Sequence, residues 1–158
     1  VVPGWIGGRM VKWLKRLEIR KGESNNYYHY FDNRILPPNV TKEIADADGW
    51  WMRTEYLFNE LNINSVILAP FHEDTLIVPS DKEAKALTLK GYAYTGSGKR
   101  ITRVEVSFDY GNTWQLCQLH VTERPTRYGM YWCWVQWSYE ASAAELATPH
   151  RMIHCRAW

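Results

Sequence analysis

The chain has little cysteine, little net charge and no long hydrophobic run. Its three cysteines, Cys117, Cys133 and Cys155, are odd in number and have no Cys-x-x-Cys spacing, which favours buried thiols in a reducing compartment over a disulfide framework. No apolar run reaches the roughly 18 residues that a membrane span needs, and no charged-then-apolar leader opens the chain. A net charge of +2 does not indicate nucleic acid or an acidic membrane as a partner. We therefore expect a soluble, cytoplasmic protein.

The common catalytic fingerprints are also missing. The sequence has no G-x-S-x-G elbow, no P-loop and no dinucleotide-binding glycine motif. His150, His154 and Cys155 have the spacing of a helical metal site, but Pro149 breaks a helix there and the alternation around Ile153 is that of a strand. We expect a core thiol at Cys155 and an exposed imidazole at His154. His29, His72 and His120 have no partner at ligand spacing and are expected to be structural or solvated.

Aromatic side chains are abundant instead, with nine Trp and ten Tyr in 158 residues. Such rings favour sheets and contact surfaces. From Leu61 onward, short apolar runs recur with turn residues between them, which predicts an immunoglobulin-like β-sandwich. The predicted strands are 61–68, 75–78, 86–94, 102–108, 114–120, 131–137 and 151–158.

Two stretches of this β region are informative. Val104, Val106 and Phe108 alternate with polar residues before the turn at 109–112, which predicts a hairpin with one solvated face. The run 131–137 instead carries apolar side chains on both faces, with the tryptophans Trp132 and Trp134 on one of them. It is therefore expected to be a central strand or a subunit contact.

The first part of the chain has a different sequence pattern. Residues 10–20 alternate apolar and charged side chains and predict one or two strands, whereas 21–40 hold many turn residues and predict a long irregular segment. Thr41 is a candidate N-cap for a short helix ending at Ala47. We place a domain boundary near residues 59–62.

A glycine-rich bend precedes a basic cluster at the start of the chain. Gly4, Gly7 and Gly8 stand before Arg9 and Lys12, and residues 1–20 hold five cations against one carboxylate. Backbone N–H groups at such a bend can approach an anion closely while the cations neutralise it. The alternative is a solvated basic face.

The stretch VPGWIGGRMVKWLKRLEI resembles the sulfite oxidase and assimilatory nitrate reductase family, in the part that holds the phosphate end of the molybdopterin. The resemblance implies that Arg9, Met10, Val11 and Lys12 contact this cofactor. Many family members have Ala in place of Gly8 and Ser or His in place of Met10. The molybdenum-ligating cysteine of the family matches none of the three cysteines here.

Three further features resemble the nitrate reductase branch: NNYYHYFDNRILPPNV, the pair Trp50 and Trp51, and EYLFNELNINSVILAPFHED. The stretches KGYAYTGSGKRITRVEVSFDYGNTWQLC and PTRYGMYWCWVQW resemble the dimerisation domain of both branches. The resemblance implies that residues 1–60 are the tail of an α+β molybdopterin domain and that residues 61–158 are a mainly β dimerisation domain, incomplete at its C-terminus. We expect a fragment that is inactive alone.

The resemblance also implies a function for the whole enzyme. It would be a homodimer that reduces nitrate to nitrite at a molybdenum–molybdopterin centre, with electrons from NAD(P)H delivered through FAD and haem in other domains. Two alternatives remain: a sulfite-oxidising enzyme of the same architecture, and a non-catalytic β-sandwich that binds carbohydrate or protein through exposed aromatics. A third possibility, a purely structural dimerisation unit, already applies in part to this fragment.

Overall fold

The computed structural model describes residues 1–81, 85–147 and 152–158, with no side-chain description at 85 and 86. The chain divides into two compact units, Val1–Leu61 and Asn62–Trp158, and each is described by itself. No helix among the described residues has the length and apolar character needed to cross a bilayer.

Short helical elements build the first unit. Helix α1 spans Tyr27–Phe31 and helix α2 spans Lys42–Ala47. Three single 3₁₀ turns accompany them, at Gly7–Arg9, Trp50–Met52 and Thr54–Tyr56.

Side-chain caps explain where the two α-helices begin. The amide oxygen of Asn26 accepts from the N–H of Tyr28, and the hydroxyl of Thr41 accepts from the N–H of Ile44. Each cap satisfies a backbone donor that has no partner within its helix. The prediction of a Thr41-capped helix ending at Ala47 is confirmed.

Two expectations for this unit were wrong. The segment 21–40 was predicted to be irregular but contains α1, which the Asn26 cap initiates. The stretch 10–20 forms no strand. Its apolar side chains from Val11 to Ile19 are exposed, and neither of the described sheets includes a strand from this stretch, so its backbone lacks strand hydrogen bonds.

The second unit is a sandwich of two antiparallel sheets, so the prediction of a mainly β, immunoglobulin-like fold is confirmed. One sheet has the order β1-β2-β6-β5 and the other β4-β3-β7, with a short helix α3 at Ala143–Leu146. The strands are β1 Asn64–Ala69, β2 Lys85–Tyr94, β3 Val104–Ser107, β4 Gln115–Leu116, β5 Gln118–His120, β6 Val135–Ser142 and β7 His154–Ala157.

Alternation places one row of side chains from each sheet in the core. Leu89 and Ala93 of β2, Val104 and Val106 of β3, and Trp137 of β6 are almost fully buried. These residues form one continuous cluster between the sheets. Their burial is the main stabilising contribution of this unit.

The β3–β4 hairpin forms as predicted, and Asp109 organises its turn. The Asp109 carboxylate accepts hydrogen bonds from the N–H and hydroxyl of Thr113, at 2.8 and 2.7 Å, and from the hydroxyl of Ser107 at 2.8 Å. These bonds, those of Thr113 first, lower the pKa of Asp109 to about 2. Tyr110 and Gly111 complete the turn with positive φ angles of 57° and 88°.

Three predicted strands differ from the structure. The run 114–120 splits at the buried Cys117, whose N–H donates to Val104 O, so β4 joins one sheet and β5 the other. The run 131–137 enters its sheet only at Val135. Residues 75–78 form no strand, and Ile77 is 92% exposed with no face to pack against.

Candidate functional site

The glycine-rich bend is held in place by backbone hydrogen bonds to residues 59–61. Ile6 donates to Asn59 O and Leu61 donates to Gly4 O, each at 2.9 Å. Gly4 has a φ of 77°, in the left-handed region that favours glycine. The chain then enters the 3₁₀ turn Gly7–Arg9, in which the N–H groups of Arg9 and Met10 donate within the turn. The N–H groups of Gly7 and Gly8 are therefore the candidates for an external anion.

The two glycines of this turn have different roles. A Cβ at Gly8 would lie 2.3 Å from Oδ1 of Asn33, so an alanine there would require the Asn33 side chain to move. A Cβ at Gly7 would meet nothing within 4 Å. The space beside Gly7 is open, as an approach by an anion to the backbone requires.

Arg9 is held by hydrogen bonds within its own unit. Its Nε donates to Phe58 O at 3.0 Å, its Nη2 to Asn33 O at 3.4 Å, and its Nη1 to Nδ1 of His29 at 2.9 Å. Burial, and then the neighbouring cation of Arg34, lower the pKa of Arg9. Because these contacts use all three guanidinium nitrogens, Arg9 can attract an anion through its positive charge but has no free pair of nitrogens for a bidentate hydrogen bond.

A second layer of charged residues supports His29. Since guanidinium can only donate, Nδ1 of His29 is the acceptor, and its Nε2 carries the proton that is donated to Glu23. Glu23 also accepts from Arg34 Nη2 at 2.9 Å, and the Arg34 side chain is fully buried. Arg34 Nε donates to Trp51 O, which leaves its Nη1 buried with no hydrogen-bond partner. The chain of contacts Arg9–His29–Glu23–Arg34 fixes the orientation of the Arg9 side chain.

The next three predicted residues lie where the chain becomes exposed. Met10 is half-buried, Val11 is 69% exposed, and Lys12 is exposed in a turn that Trp13 closes with a φ of 57°. Lys12 has no hydrogen bond or ion pair with any part of the chain that the structure describes. Its ammonium group is therefore available to an anion.

These residues fit the phosphate end of a molybdopterin in their chemistry. The open backbone at Gly7, the free ammonium of Lys12 and the fixed positive charge of Arg9 are the groups that bind phosphate. The structure joins Arg9 to His29 by a side-chain hydrogen bond, whereas the side chains of Val11 and Lys12 make no such bond to the described residues. The assignment of Arg9, Met10, Val11 and Lys12 to the cofactor remains a prediction.

The described residues contain no group of three or more His, Cys, Asp or Glu that could hold a metal ion. His150 lies outside the described residues. Cys155 packs against the core cluster, as expected, but His154 was wrongly expected to be exposed: its Nε2 is buried, and its ring lies edge-on to Tyr110 at 5.7 Å.

The residues that orient Arg9 were not predicted from the sequence. His29 was assigned a structural or solvated role without a partner, and Glu23, Asn33 and Arg34 were placed in an irregular segment. A cation, an imidazole and a carboxylate spread over 20 residues give no periodic pattern. The one usable indication was Asn26, whose cap begins the helix that carries His29.

Two family models match the chain. The Mo-co oxidoreductase dimerisation domain matches residues 55–158, and the oxidoreductase molybdopterin binding domain matches residues 1–28. The second match contains the glycine-rich bend together with Arg9, Met10, Val11 and Lys12.

Curated relatives match over the whole chain. It is 53% identical over 158 residues to a nitrate reductase [NAD(P)H] of Hordeum vulgare, covering 18% of that protein. It is 52% identical over 158 residues to nitrate reductase [NADH] 1 of Zea mays, covering 25% of that protein, and 51% identical to nitrate reductase [NADH] 1 of Nicotiana tabacum, covering 17%. The chain thus spans about a fifth of the length of these relatives.

A solved structure has a similar fold. The sulfane dehydrogenase SoxCD from Paracoccus pantotrophus matches with a TM-score of 0.58 and 26% sequence identity. The match covers 90% of this chain and 31% of that one.

Proposed function

The chain belongs to the Mo-co oxidoreductase dimerisation domain family, and from this membership we propose that it is a segment of an assimilatory nitrate reductase. Residues 1–60 are the C-terminal portion of the molybdopterin-binding domain, and residues 61–158 are the dimerisation domain. The observation that carries the proposal is identity above one half, over the whole chain, to plant nitrate reductases.

The reaction is the two-electron reduction of nitrate to nitrite. When bound, the molybdenum–molybdopterin cofactor supplies the oxygen-atom transfer, because the hard chemistry belongs to the cofactor while the protein provides binding, orientation and charge. This segment contributes one wall of the cofactor site and the contact between protomers. NAD(P)H is the electron donor, FAD and haem in other domains carry the electrons, and the enzyme works in the cytoplasm.

Four residues of this chain hold the phosphate end of the cofactor. Lys12 contributes a mobile ammonium group that pairs with a phosphate oxygen. Arg9 contributes a positive charge that the hydrogen bond to His29 keeps in place. Met10 and Val11 contribute the backbone that joins Arg9 to Lys12, in which the N–H of Val11 is the donor for a phosphate oxygen because that of Met10 donates to Gly7 O.

A sulfite-oxidising enzyme is the second candidate. The observation in its favour is the similarity of fold to a sulfane dehydrogenase, an oxidoreductase named for a sulfur substrate. The same segment could serve either reaction, because its residues bind the cofactor and not the substrate.

The test uses the intact polypeptide that carries this chain, purified with its cofactors. We expect about one molybdenum per protomer by elemental analysis and nitrite production from nitrate with a reduced electron donor, with no sulfite oxidation. Sulfite oxidation without nitrate reduction would assign the protein to the second candidate. A protein that contains no molybdenum would refute both and favour a non-catalytic β-sandwich binding module.

A further inference from the structure

Three aromatic rings are stacked on the outer face of the four-stranded sheet. Trp134 lies parallel to Tyr92 with ring centroids 4.8 Å apart and to Tyr94 with centroids 5.2 Å apart. The interplanar angles are 19° and 25°. We call Tyr92, Tyr94 and Trp134 the aromatic platform. Trp134 is 58% exposed, so its free ring surface faces away from the sheet.

The strand register explains why these rings meet. Ala93 of β2 pairs with Val135 of β6, and both side chains are buried in the core. Their neighbours Tyr92, Tyr94 and Trp134 therefore point to the opposite face. The position of the platform is therefore set by the pairing of the two strands.

The rest of this face suits contact with an identical surface. Next to the platform lie neutral groups that both donate and accept hydrogen bonds, on Gln118, His120, Gln136 and Ser138. Further along, Lys90 and Glu140 bring one charge of each sign. A two-fold contact places a surface against its own copy, so such a face can pair without opposing like charges.

The outer face of the second sheet is less suited to that role. Arg156 lies over the rings of Trp114 and Trp158, at 3.9 and 4.3 Å, and Arg103 lies over Trp158 at 3.9 Å. Both arginines also pair with Glu105. The aromatic surfaces are thus covered by cations of the same chain, and a two-fold contact here would bring arginines of the two copies together.

We propose that the aromatic platform is the centre of the contact between two copies of this chain. The proposal rests on the dimerisation role given to residues 61–158, and it specifies which face carries that role. Large, rigid aromatic side chains at the centre of an interface contribute most of its binding energy. In a two-fold contact each substitution acts twice, once in each protomer.

The experiment compares two glutamate substitutions in the intact polypeptide, measured by sedimentation equilibrium. Trp134→Glu places a charge on the platform, and Leu116→Glu is the matched control, at a 66% exposed apolar side chain on the other sheet. We expect Trp134→Glu to raise the dimer dissociation constant by at least about 100-fold. The control should change the constant less than about threefold. Trp134→Ala tests the same contact without adding a charge, and we expect it to raise the dimer dissociation constant by about tenfold or more.

Circular dichroism and molybdenum content of each variant report whether the fold and the cofactor site are kept. A dimer that survives both Trp134 substitutions would overturn the proposal, and dissociation by Leu116→Glu alone would place the contact on the other sheet. In either case, unchanged molybdenum content and nitrate reduction would leave the proposed function standing. A wild-type protein that is monomeric, or that lacks molybdenum, would instead count against the proposed function itself.

Discussion

Replacing Glu23 with Gln removes the carboxylate between His29 and Arg34 and should destabilise the first unit. The Arg34 side chain is completely buried, and its ion pair is with Glu23 at 2.9 Å. Gln has nearly the same shape and can still accept one hydrogen bond, so the substitution mainly removes charge. The guanidinium of Arg34 then remains buried without a counter-ion.

The magnitude follows from the burial of the pair. Breaking a fully buried ion pair costs about 3–5 kcal/mol because an uncompensated charge is left behind. Glu23 is 28% exposed, so water can partly replace it, and we expect a loss of about 2 kcal/mol in the free energy of unfolding. The matched control is Glu18→Gln, which breaks the Arg16–Glu18 pair, whose side chains are 82% and 56% exposed. Glu18→Gln should lower the free energy of unfolding by less than about 1 kcal/mol.

The pH dependence gives an independent test. Hydrogen bonds from His29 first, and then from Arg34, lower the pKa of Glu23. A carboxyl group with a lowered pKa stabilises the folded state above its unfolded pKa of about 4.3, and this contribution is lost as the pH falls through the folded pKa. The difference between wild type and Glu23→Gln should therefore be complete at neutral pH and shrink below about pH 4.

Urea denaturation followed by tryptophan fluorescence, at neutral pH and in acid, measures these differences. The reasoning would be refuted if Glu23→Gln and Glu18→Gln were equally stable at neutral pH. A difference from wild type that did not change in acid would contradict the role of the Glu23 charge in particular.

Two further predictions concern the second unit. A Cβ at Gly91 would lie 2.3 Å from the Trp137 ring, so Gly91→Ala should lower the free energy of unfolding by about 2–3 kcal/mol in the same urea denaturation experiment. Gly7→Ala is the control and should have little effect, because a Cβ at Gly7 meets open space. Burial raises the pKa of Cys117 to about 12, whereas Cys133 is exposed. Iodoacetamide should therefore modify Cys133 in the folded protein and Cys117 only after unfolding, which peptide mass spectrometry can measure. Equal labelling of both cysteines in the folded protein would contradict this prediction.

Features set by neighbouring residues were predictable from the sequence. The Thr41 cap and the Asp109 turn depend on hydrogen bonds within four residues, and both were predicted where they occur. The overall β-sandwich was also predictable, because the alternation of apolar residues reflects which face of each strand is buried.

Features set by distant contacts were not predictable. The change of sheet at Cys117 depends on which strand lies beside each half of the run 114–120, and no local pattern encodes that choice. The orientation of Arg9 depends on Phe58 and His29, which are 49 and 20 residues away along the chain. The glycine-rich bend was visible in the sequence, but the close packing of Asn33 against Gly8 was not.

Molybdenum content in Lys12 variants tests whether this chain forms part of a molybdopterin site. Lys12→Ala in the intact polypeptide should lower cofactor affinity roughly tenfold, since a charge-assisted contact to phosphate is removed. Lys15→Ala, in the same exposed segment, is the matched control and should retain the wild-type content. We predict molybdenum and pterin loss in Lys12→Ala alone, after dialysis and with the dimer intact. Equal molybdenum content in both variants and in the wild type would contradict the account.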